Sequence, residues 1–385
     1  MSVTSATRPE DGPVARARAL QPLVRANAAK AEADANPVGE VVRAMVDAGL
    51  YLVCAPACFG GDEADPATTI GVIEAISEAD GATGWALMIG LETVGLGLAW
   101  LPPEAAEDLL AETPRPVFCG ALNPRGVARA VPGGWQVSGQ WPFASGCMHA
   151  DYFWGMCVNH GDPSDLLEVI VPRSGYEVLP TWQVNGLRGS GSHDVAVDDL
   201  FIPENRVTRT RGRRPVHQGT LFGLPQFSRL AYNKVGVSLG IARAAIDAFV
   251  ELCSAKTPRL STSLLRDRPR AQLAIAEAEA AVRSAKAFVL DVCAAQWETV
   301  AAGGRSDRHE RALVRLACSH ACQEAARAVS VLCVAAGTSP NPVDSVLGRC
   351  ARDVVVVPQQ IMVAPHFIED AGRVLLGLDP HEPAF

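Results

Sequence analysis

The sequence lacks the glycine-rich signatures that hold nucleotide phosphates in many enzymes. Its 385 residues contain neither a GxxxxGK(S/T) segment nor a strand–GxGxxG–helix unit, which argues against a P-loop and against a Rossmann domain. Charged residues are scarce at 20%, and the formal net charge is -8. An acidic chain of this kind is a poor candidate for nucleic-acid binding, and its low charge predicts that other subunits cover part of its surface.

One basic cluster departs from this balance. Arg209, Arg211, Arg213 and Arg214 bring four arginines together within six residues. The cluster predicts either a site that receives a phosphate or a solvated loop between two domains, and both interpretations stay open.

The chain also lacks an apolar leader at its N-terminus and any uninterrupted apolar run long enough to cross a bilayer. Its eleven cysteines are scattered, and neither Cys54 with Cys58 nor Cys318 with Cys322 is completed to a zinc-binding set. We therefore expect a cytoplasmic protein with no membrane segment, no metal site and no disulfide bonds.

Two changes of sequence pattern predict the domains. Residues 1–13 are expected to form a flexible N-terminus, and residues 14–113 show the apolar spacing of helices. Within that region, residues 80–84 predict a turn, and residues 85–100 are so uniformly apolar that they predict a helix buried on every side. Residues 114–220 switch to a period near two, which predicts a β-domain built as a small barrel or sandwich. Its strands are expected at residues 117–122, 134–141, 152–158, 167–171 and 194–197.

The remaining residues, 221–385, return to helical periodicity and predict a four-helix bundle. Pro358 and Pro365 fall inside the last helical segment and should interrupt it, because proline lacks the N–H group that a helix needs. The four segments are expected at roughly residues 226–255, 268–300, 309–336 and 343–376.

Two short motifs in the β-domain carry the functional signal. Trp141–Gly146 has the sequence WPFASG, and Gly186–Ser192 has the sequence GLRGSGS. Glycine lets backbone N–H groups approach a ligand, an aromatic side chain covers a flat face, and a hydroxyl group meets a polar ring edge. Together the motifs predict a site for a flat aromatic cofactor.

The order of helices, β-domain and bundle, together with these motifs, resembles the acyl-CoA dehydrogenase superfamily over nearly the whole chain. Supporting motifs occur in the family's order at Gly60–Gly61, Glu78–Trp85, Arg352–Asp353 and Gly372–Gly377. The resemblance implies an α+β, mostly α fold: an N-terminal helical domain, a central β-barrel or sandwich domain and a C-terminal four-helix bundle. Within the superfamily, the sequence is most similar to the flavin-dependent monooxygenase branch.

This resemblance implies an activity, a cofactor and partners. Members of the branch are two-component hydroxylases that receive reduced FMN or FAD from a separate flavin reductase. For this chain we expect a monooxygenase that acts on an aromatic or polycyclic small molecule in specialised metabolism, assembled as a homotetramer or homodimer. Two alternatives remain open: a desaturase of an acyl thioester, and a non-redox member that has lost its flavin.

The resemblance also implies cofactor contacts from two parts of the chain. Each has a structural alternative, such as an aromatic residue in a core, a tight turn, arginines on a surface or a glycine helix cap. The β-domain is expected to contribute Asn123, Trp141, Phe143, Ser145, Arg188 and Ser190, and the bundle Arg266, Arg268, Gln272 and Gly337.

The catalytic candidates are Ser145, Glu92, Gln360 and His366. Ser145 is expected beside the reactive edge of the flavin. Members of the branch usually carry two histidines after an Arg-Asp pair in the bundle, whereas Val355 and Gln360 occupy those positions here. Histidine is the common base near neutral pH, and glutamine cannot replace it in that role. Glu92 lies within an apolar helix and should have a raised pKa, and the remaining histidine candidates are His149, His193 and His366.

Overall fold

A computed structural model describes residues 12–210 and 214–382 of the chain. Most of the predicted flexible N-terminus lies outside the described residues, and so do Arg211 and Arg213 of the basic cluster.

Six helices precede the sheet within the described part of the chain. Asp65 and Asp80 cap the fourth and fifth, because their carboxylates accept the N–H groups of Thr68 and Thr83. The turn expected at residues 80–84 is therefore wrong, since these residues are the cap and first turn of a helix. The helices are Pro13–Ala19 (α1), Gln21–Asp34 (α2), Gly39–Asp47 (α3), Pro66–Ala79 (α4), Gly81–Trp100 (α5) and Pro103–Glu112 (α6).

The central region forms one mixed sheet of seven strands among the described residues, in the order β5-β6-β2-β1-β3-β4-β7. β1 and β3 pair in parallel, and the other pairs are antiparallel. β4 and β6 contact each other although three strands separate them in the sheet, so the sheet curls towards a barrel. The strands are Phe118–Val131 (β1), Gly134–Trp141 (β2), Tyr152–Asn159 (β3), Leu166–Pro172 (β4), Glu177–Leu179 (β5), Asp194–Pro203 (β6) and Val207–Thr208 (β7).

The C-terminal region is a bundle of three long helices and an interrupted fourth segment. Short 3-10 turns at Val357–Gln359 and Ile361–Val363 break that segment around Pro358, and a new helix begins after Pro365. The interruption predicted from the two prolines is thus confirmed. The helices are Thr220–Gly223 (α7), Gln226–Ala255 (α8), Pro269–Ala301 (α9), Arg308–Ala336 (α10), Val346–Val354 (α11) and His366–Leu375 (α12).

Helix α5 joins the three regions. By length and composition it could span a membrane, yet 94% of its most apolar window is buried inside the protein. Every residue of α5 except Ile89 is buried, as predicted. α5 packs against β1 on one side and α8 on another, and Gly97 permits the first contact. A Cβ atom at Gly97 would lie 2.8 Å from the ring of Phe118, so only glycine allows this approach.

Candidate active site

A cavity of about 440 Å³ lies where α5, the sheet, α8 and the segment after α11 meet. We call it the central cavity. Most of its walls are aromatic or aliphatic, and the polar groups are few. Such a composition is typical of a small-molecule site. The lining residues are Trp85, Ile89, Glu92, Thr93 and Leu96 from α5, Gly120–Asn123 from β1, Pro142, Phe143 and Ser145, Trp154 from β3, Ser192, Leu230 and Lys234 from α8, and Val356 with Gln359–Ile361.

The structure brings the two sequence motifs together at this cavity. The N–H group of Gly146 donates to the carbonyl oxygen of Ser190 at 2.9 Å, and the hydroxyl oxygens of Ser145 and Ser192 are 2.6 Å apart. The motifs are about forty residues apart in the chain, and these bonds hold them as one unit.

Three hydroxyl groups form a buried chain that begins at the cavity wall. The indole Nε1 of Trp85 donates to Ser145 Oγ at 3.0 Å, and Ser145 Oγ lies 2.6 Å from Ser192 Oγ. Ser192 Oγ lies 2.7 Å from Ser190 Oγ, which is behind the wall. Ser145 therefore presents a hydroxyl group whose partners fix its position.

A buried ion pair forms another part of the wall. Both carboxylate oxygens of Glu92 accept from Nζ of Lys234 at 2.7 Å, and the two side chains are 5% and 1% exposed. Burial raises the pKa of Glu92, against the opposing charge of Lys234, so the predicted direction is confirmed. Burial lowers the pKa of Lys234, while Glu92 opposes that shift. Glu92 is therefore not a free base.

Sequence reasoning missed Lys234. The available signal was a lysine inside the apolar run of α8, because a buried lysine requires a partner of opposite charge. Glu92 is 142 residues away in the chain, and the sequence contains no pattern that links the two.

Trp154 and Gly120 shape the wall formed by the sheet. The Nε1 atom of Trp154 is buried without a hydrogen-bond partner among the described residues. A Cβ atom at Gly120 would lie 2.7 Å from Thr93 Cγ2, so any side chain there would crowd the cavity. Apolar faces, an unpaired donor and the Ser145 hydroxyl suit a flat heteroaromatic group with acceptors on its edge. These residues therefore fit a flavin ring.

Besides Ser145, the predicted cofactor residues Asn123 and Phe143 line the central cavity, whereas Trp141 does not. Asn123 lies where the pairing of β1 with β3 is irregular, and Phe143 is 67% exposed at the edge of the cavity with its ring against Trp182. Trp141 is fully buried in the sheet, and its Nε1 donates to the carbonyl oxygen of Met156 at 2.7 Å. Its contact with a cofactor finds no support in this position, because the ring fills the core.

The catalytic candidates of the last helical segment also differ in whether they line the central cavity. Gln360 lines the cavity, and its Oε1 accepts from the N–H group of Met362 at 2.7 Å. Val355 is outside the cavity. The proposed catalytic position of His366 has no support, because the residue is exposed at the start of α12 and its ring lies 4.2 Å from that of Phe367.

The other histidine candidates contact neighbouring backbone. His149 Nε2 is 2.7 Å from the carbonyl oxygen of Pro37, and His193 Nδ1 accepts from the N–H group of Trp182 at 3.1 Å. Neither residue lines the central cavity.

The remaining cofactor candidates do not line the cavity either. Arg188 is exposed and donates to the carbonyl oxygen of Glu32, while Ser190 lies behind the wall. The bundle candidates lie around Lys256, at the far end of α8 from Lys234. At 1.5 Å per residue, Lys256 is about 33 Å along the helix from Lys234. Within one chain, Arg266, Arg268, Gln272 and Gly337 are therefore too distant for a ring bound in the central cavity.

Comparison with known proteins agrees with this architecture. The family description "Acyl-CoA dehydrogenase, N-terminal domain" matches residues 15–105, and "Acyl-CoA dehydrogenase, C-terminal domain" matches residues 234–365. The chain is 35% identical over 343 residues to indole-3-acetate monooxygenase of Pseudomonas putida, which covers 89% of this chain and 87% of that protein. It is 29% identical over 397 residues to the FADH(2)-dependent resorcinol hydroxylase oxygenase component of Rhizobium sp., with coverages of 97% and 96%.

A solved structure, that of 3-HSA hydroxylase from Rhodococcus sp. RHA1, matches with a TM-score of 0.90 at 25% identity, over 98% of this chain and 100% of that one. The chain belongs to the acyl-CoA dehydrogenase superfamily, and within it to the flavin-dependent monooxygenases. It is an oxidoreductase, so the predicted fold and enzyme class are confirmed.

Proposed function

We propose that the protein is the oxygenase component of a two-component system that hydroxylates a planar aromatic small molecule in the central cavity. Reduced FMN or FAD comes from a separate flavin reductase. The observation that carries the proposal is the Ser145 hydroxyl, held by Trp85 in the wall of a largely apolar cavity. A thioester desaturase needs a free carboxylate base, whereas both oxygens of Glu92 accept from Lys234.

The walls support an aromatic substrate with polar substituents. Trp85, Trp154 and Phe143 offer flat apolar surface, and the amides of Asn123 and Gln359 offer donors and acceptors. Relatives of the chain are named for indole-3-acetate and resorcinol, both aromatic compounds. We infer a substrate of similar size and shape.

When bound, the reduced flavin supplies the two electrons with which one atom of O2 enters the substrate and the other leaves as water. These two electrons would balance the conversion of a substrate C–H bond into C–OH. The protein must exclude bulk water meanwhile, because uncoupled oxidation releases hydrogen peroxide. The buried helix α5 and the apolar walls serve this purpose.

The hydroxyl chain gives Ser145 a donor role. A hydroxyl group has one proton and can accept two hydrogen bonds. If Ser190 donates to Ser192 and Ser192 donates to Ser145, then Ser145 accepts from both Ser192 and Trp85. Its own proton is then directed to an acceptor in the cavity. We infer that a hydrogen-bond acceptor of a bound flavin would select this arrangement of the hydroxyl protons.

Isotope incorporation tests the activity. Purified protein, FMN or FAD, NADH and a flavin reductase are incubated under 18O2 with indole-3-acetate or resorcinol. We expect one 18O atom in the product by mass spectrometry, and no product without the reductase. Failure of reduced flavin to bind, or peroxide as the sole product with every aromatic compound tried, would contradict the proposal.

Ser145→Ala tests the donor. We expect peroxide release per NADH to rise by about tenfold, because one charge-assisted or strong hydrogen bond changes a barrier by about 1.4 kcal/mol or more. Ser254→Ala is the matched control, since it removes an exposed hydroxyl of α8 that lies outside the cavity and outside the hydroxyl chain. Equal coupling in Ser145→Ala and the parent protein would remove Ser145 from this role.

We further propose that Arg266, Arg268, Gln272 and Gly337 contact the cofactor of a neighbouring subunit in a homodimer or homotetramer. The distance of about 33 Å along α8 supports this proposal, because it excludes the same chain's cavity. Sedimentation of the purified protein measures the assembly. Arg268→Ala should weaken FAD binding in an oligomer, and unchanged affinity would argue against the contact.

A further inference from the structure

A second cavity, of about 730 Å³, lies beyond the C-terminal end of α5. We call it the arginine cavity. It is bounded by Trp100, by the segment that leads into α8, and by the C-terminal end of α9. The lining residues are Trp100, Thr210, Arg214, Pro215, Gln218–Thr220, Phe222–Leu224, Gln226, Arg229, Val300 and Gly303–Arg305.

Positive charge dominates this cavity. Arg214 and Arg305 are exposed at its mouth, and Arg229 is 7% exposed at its base. None of the described lining residues is acidic. Arg214 belongs to the basic cluster found in the sequence, which the active site does not use.

The base of the cavity presents donors without acceptors. Nε and Nη2 of Arg229 are buried without a hydrogen-bond partner among the described residues, and so is Nε1 of Trp100. The guanidinium carbon of Arg229 lies 5.5 Å from the centroid of Trp100 and 5.7 Å from that of Phe222. The aromatic rings therefore hold the guanidinium in place without satisfying its N–H groups.

The nearby carboxylates form their hydrogen bonds with other groups. Glu168 accepts from the N–H and hydroxyl groups of Thr210, and Glu63 lies behind Gly219 and accepts from the N–H group of Ala57. Glu92 influences Arg229 electrostatically, but its oxygens are engaged by Lys234.

We propose that the arginine cavity binds a small oxyanion, a carboxylate or a phosphate, with Arg229 and Trp100 as its donors at the base. Buried N–H donors without an acceptor, two of them on the guanidinium of Arg229, are expensive in free energy unless a ligand accepts from them. An oxyanion carries only acceptors, and arginine binds it through parallel N–H groups. Arg214 and Arg305 at the mouth attract the anion from solvent.

A small space lies between this site and the central cavity. A space of about 10 Å³ shares Glu92, Leu96 and Leu230 with the central cavity and Gln226 and Arg229 with the arginine cavity. The oxyanion can come from two sources, a free inorganic anion or an organic acid.

Binding to the purified chain without flavin tests the proposal independently of hydroxylation. Isothermal calorimetry is done with sodium phosphate and with phenylacetate, each against sodium chloride at equal ionic strength. We expect binding of at least one of the two oxyanions. Arg305→Ala should weaken it about tenfold, and Arg229→Met should abolish it, because charged hydrogen bonds are lost.

Arg129→Ala, on the exposed surface of β1, is the control and should bind as the parent protein does. Tighter binding of phosphate identifies a free inorganic anion, and tenfold tighter binding of phenylacetate identifies an organic acid. If Arg229→Met does not fold, Arg305→Ala still tests the proposal, because it changes an exposed residue. Absence of binding beyond chloride, or equal affinities in Arg305→Ala and Arg129→Ala, would overturn the proposal.

Discussion

The buried pair of Glu92 and Lys234 allows the sharpest test of the structure. Glu92→Gln removes the negative charge and keeps the shape, and Lys234→Met removes the positive charge and keeps the stem. Each single change leaves one ionised group buried without its partner, whereas the double variant leaves none. The two side chains are 5% and 1% exposed, so bulk water compensates little for the lost partner.

The expected magnitudes follow from that burial. Each single variant should lose about 3–5 kcal/mol of unfolding free energy, the usual penalty for breaking a buried pair. The double variant should lose at least about 2 kcal/mol less than the sum of the single losses, because neither charge of the pair remains. In Lys234→Met, the positive charge of Arg229 reduces the free-energy penalty of the buried Glu92 carboxylate, and the same charge lowers the pKa of Glu92.

The two single variants should respond to pH in opposite directions. In Lys234→Met, burial raises the pKa of Glu92 in the folded state above its value in the unfolded chain. The folded protein therefore takes up a proton on Glu92 more readily, and the loss of unfolding free energy shrinks as pH falls towards the folded-state pKa. In Glu92→Gln, burial lowers the folded-state pKa of Lys234, so the folded protein releases a proton and the loss shrinks as pH rises.

Urea denaturation followed by circular dichroism measures both effects at one fixed protein concentration. Titrations at pH 5, 7 and 9 cover the two directions. Additive single losses, losses below about 1 kcal/mol, or the same pH trend in both variants would refute a desolvated pair.

Three further predictions concern other parts of the fold. Burial raises the pKa of Asp353 to about 7, so the folded protein binds more protons than the unfolded chain between about pH 4 and pH 7, and stability falls as pH rises across that window. Asp353→Asn should remove that slope in urea midpoints; an unchanged slope would assign it to other groups. Gln360→His should alter the pH profile of turnover while Val355→His, outside the cavity, should not; identical profiles would remove Gln360 from the site. Gly120→Val should abolish turnover and cost about 1–3 kcal/mol by overpacking, with Gly372→Ala as an uncrowded control; full activity would contradict the cavity wall.

Local sequence signals predicted the helical framework well. The predicted segment 226–255 coincides with α8, and the two prolines interrupt the last segment as expected. Such features depend on apolar periodicity, caps and proline, which act over a few residues. The turn expected at residues 80–84 failed because Asp80 caps a helix whose first turn contains two glycines.

The sequence predicted those parts of the candidate site that a short local motif forms. The Trp141–Gly146 and Gly186–Ser192 motifs led to Ser145, which lines the cavity, but the same motif also contributes Trp141 to the core. Pairings between distant elements were not predictable. Lys234, Trp154 and the arginine cavity depend on how α5, α8 and the sheet pack, and no local pattern encodes that.

The packing of the last helical segment shows where the two positions lie at which relatives carry histidine, Val355 and Gln360 in this chain. The 3-10 turns around Pro358 separate the two positions, so that Gln360 faces the central cavity and Val355 does not. A histidine at position 355 would therefore lie outside the cavity in this chain, whatever its role in relatives. The ionisable side chains that line the cavity among the described residues, Glu92 and Lys234, come instead from α5 and α8. We propose that proton transfer at this site involves this pair, and because neither group can titrate singly without loss of stability, the pH dependence of turnover would then follow that of the fold.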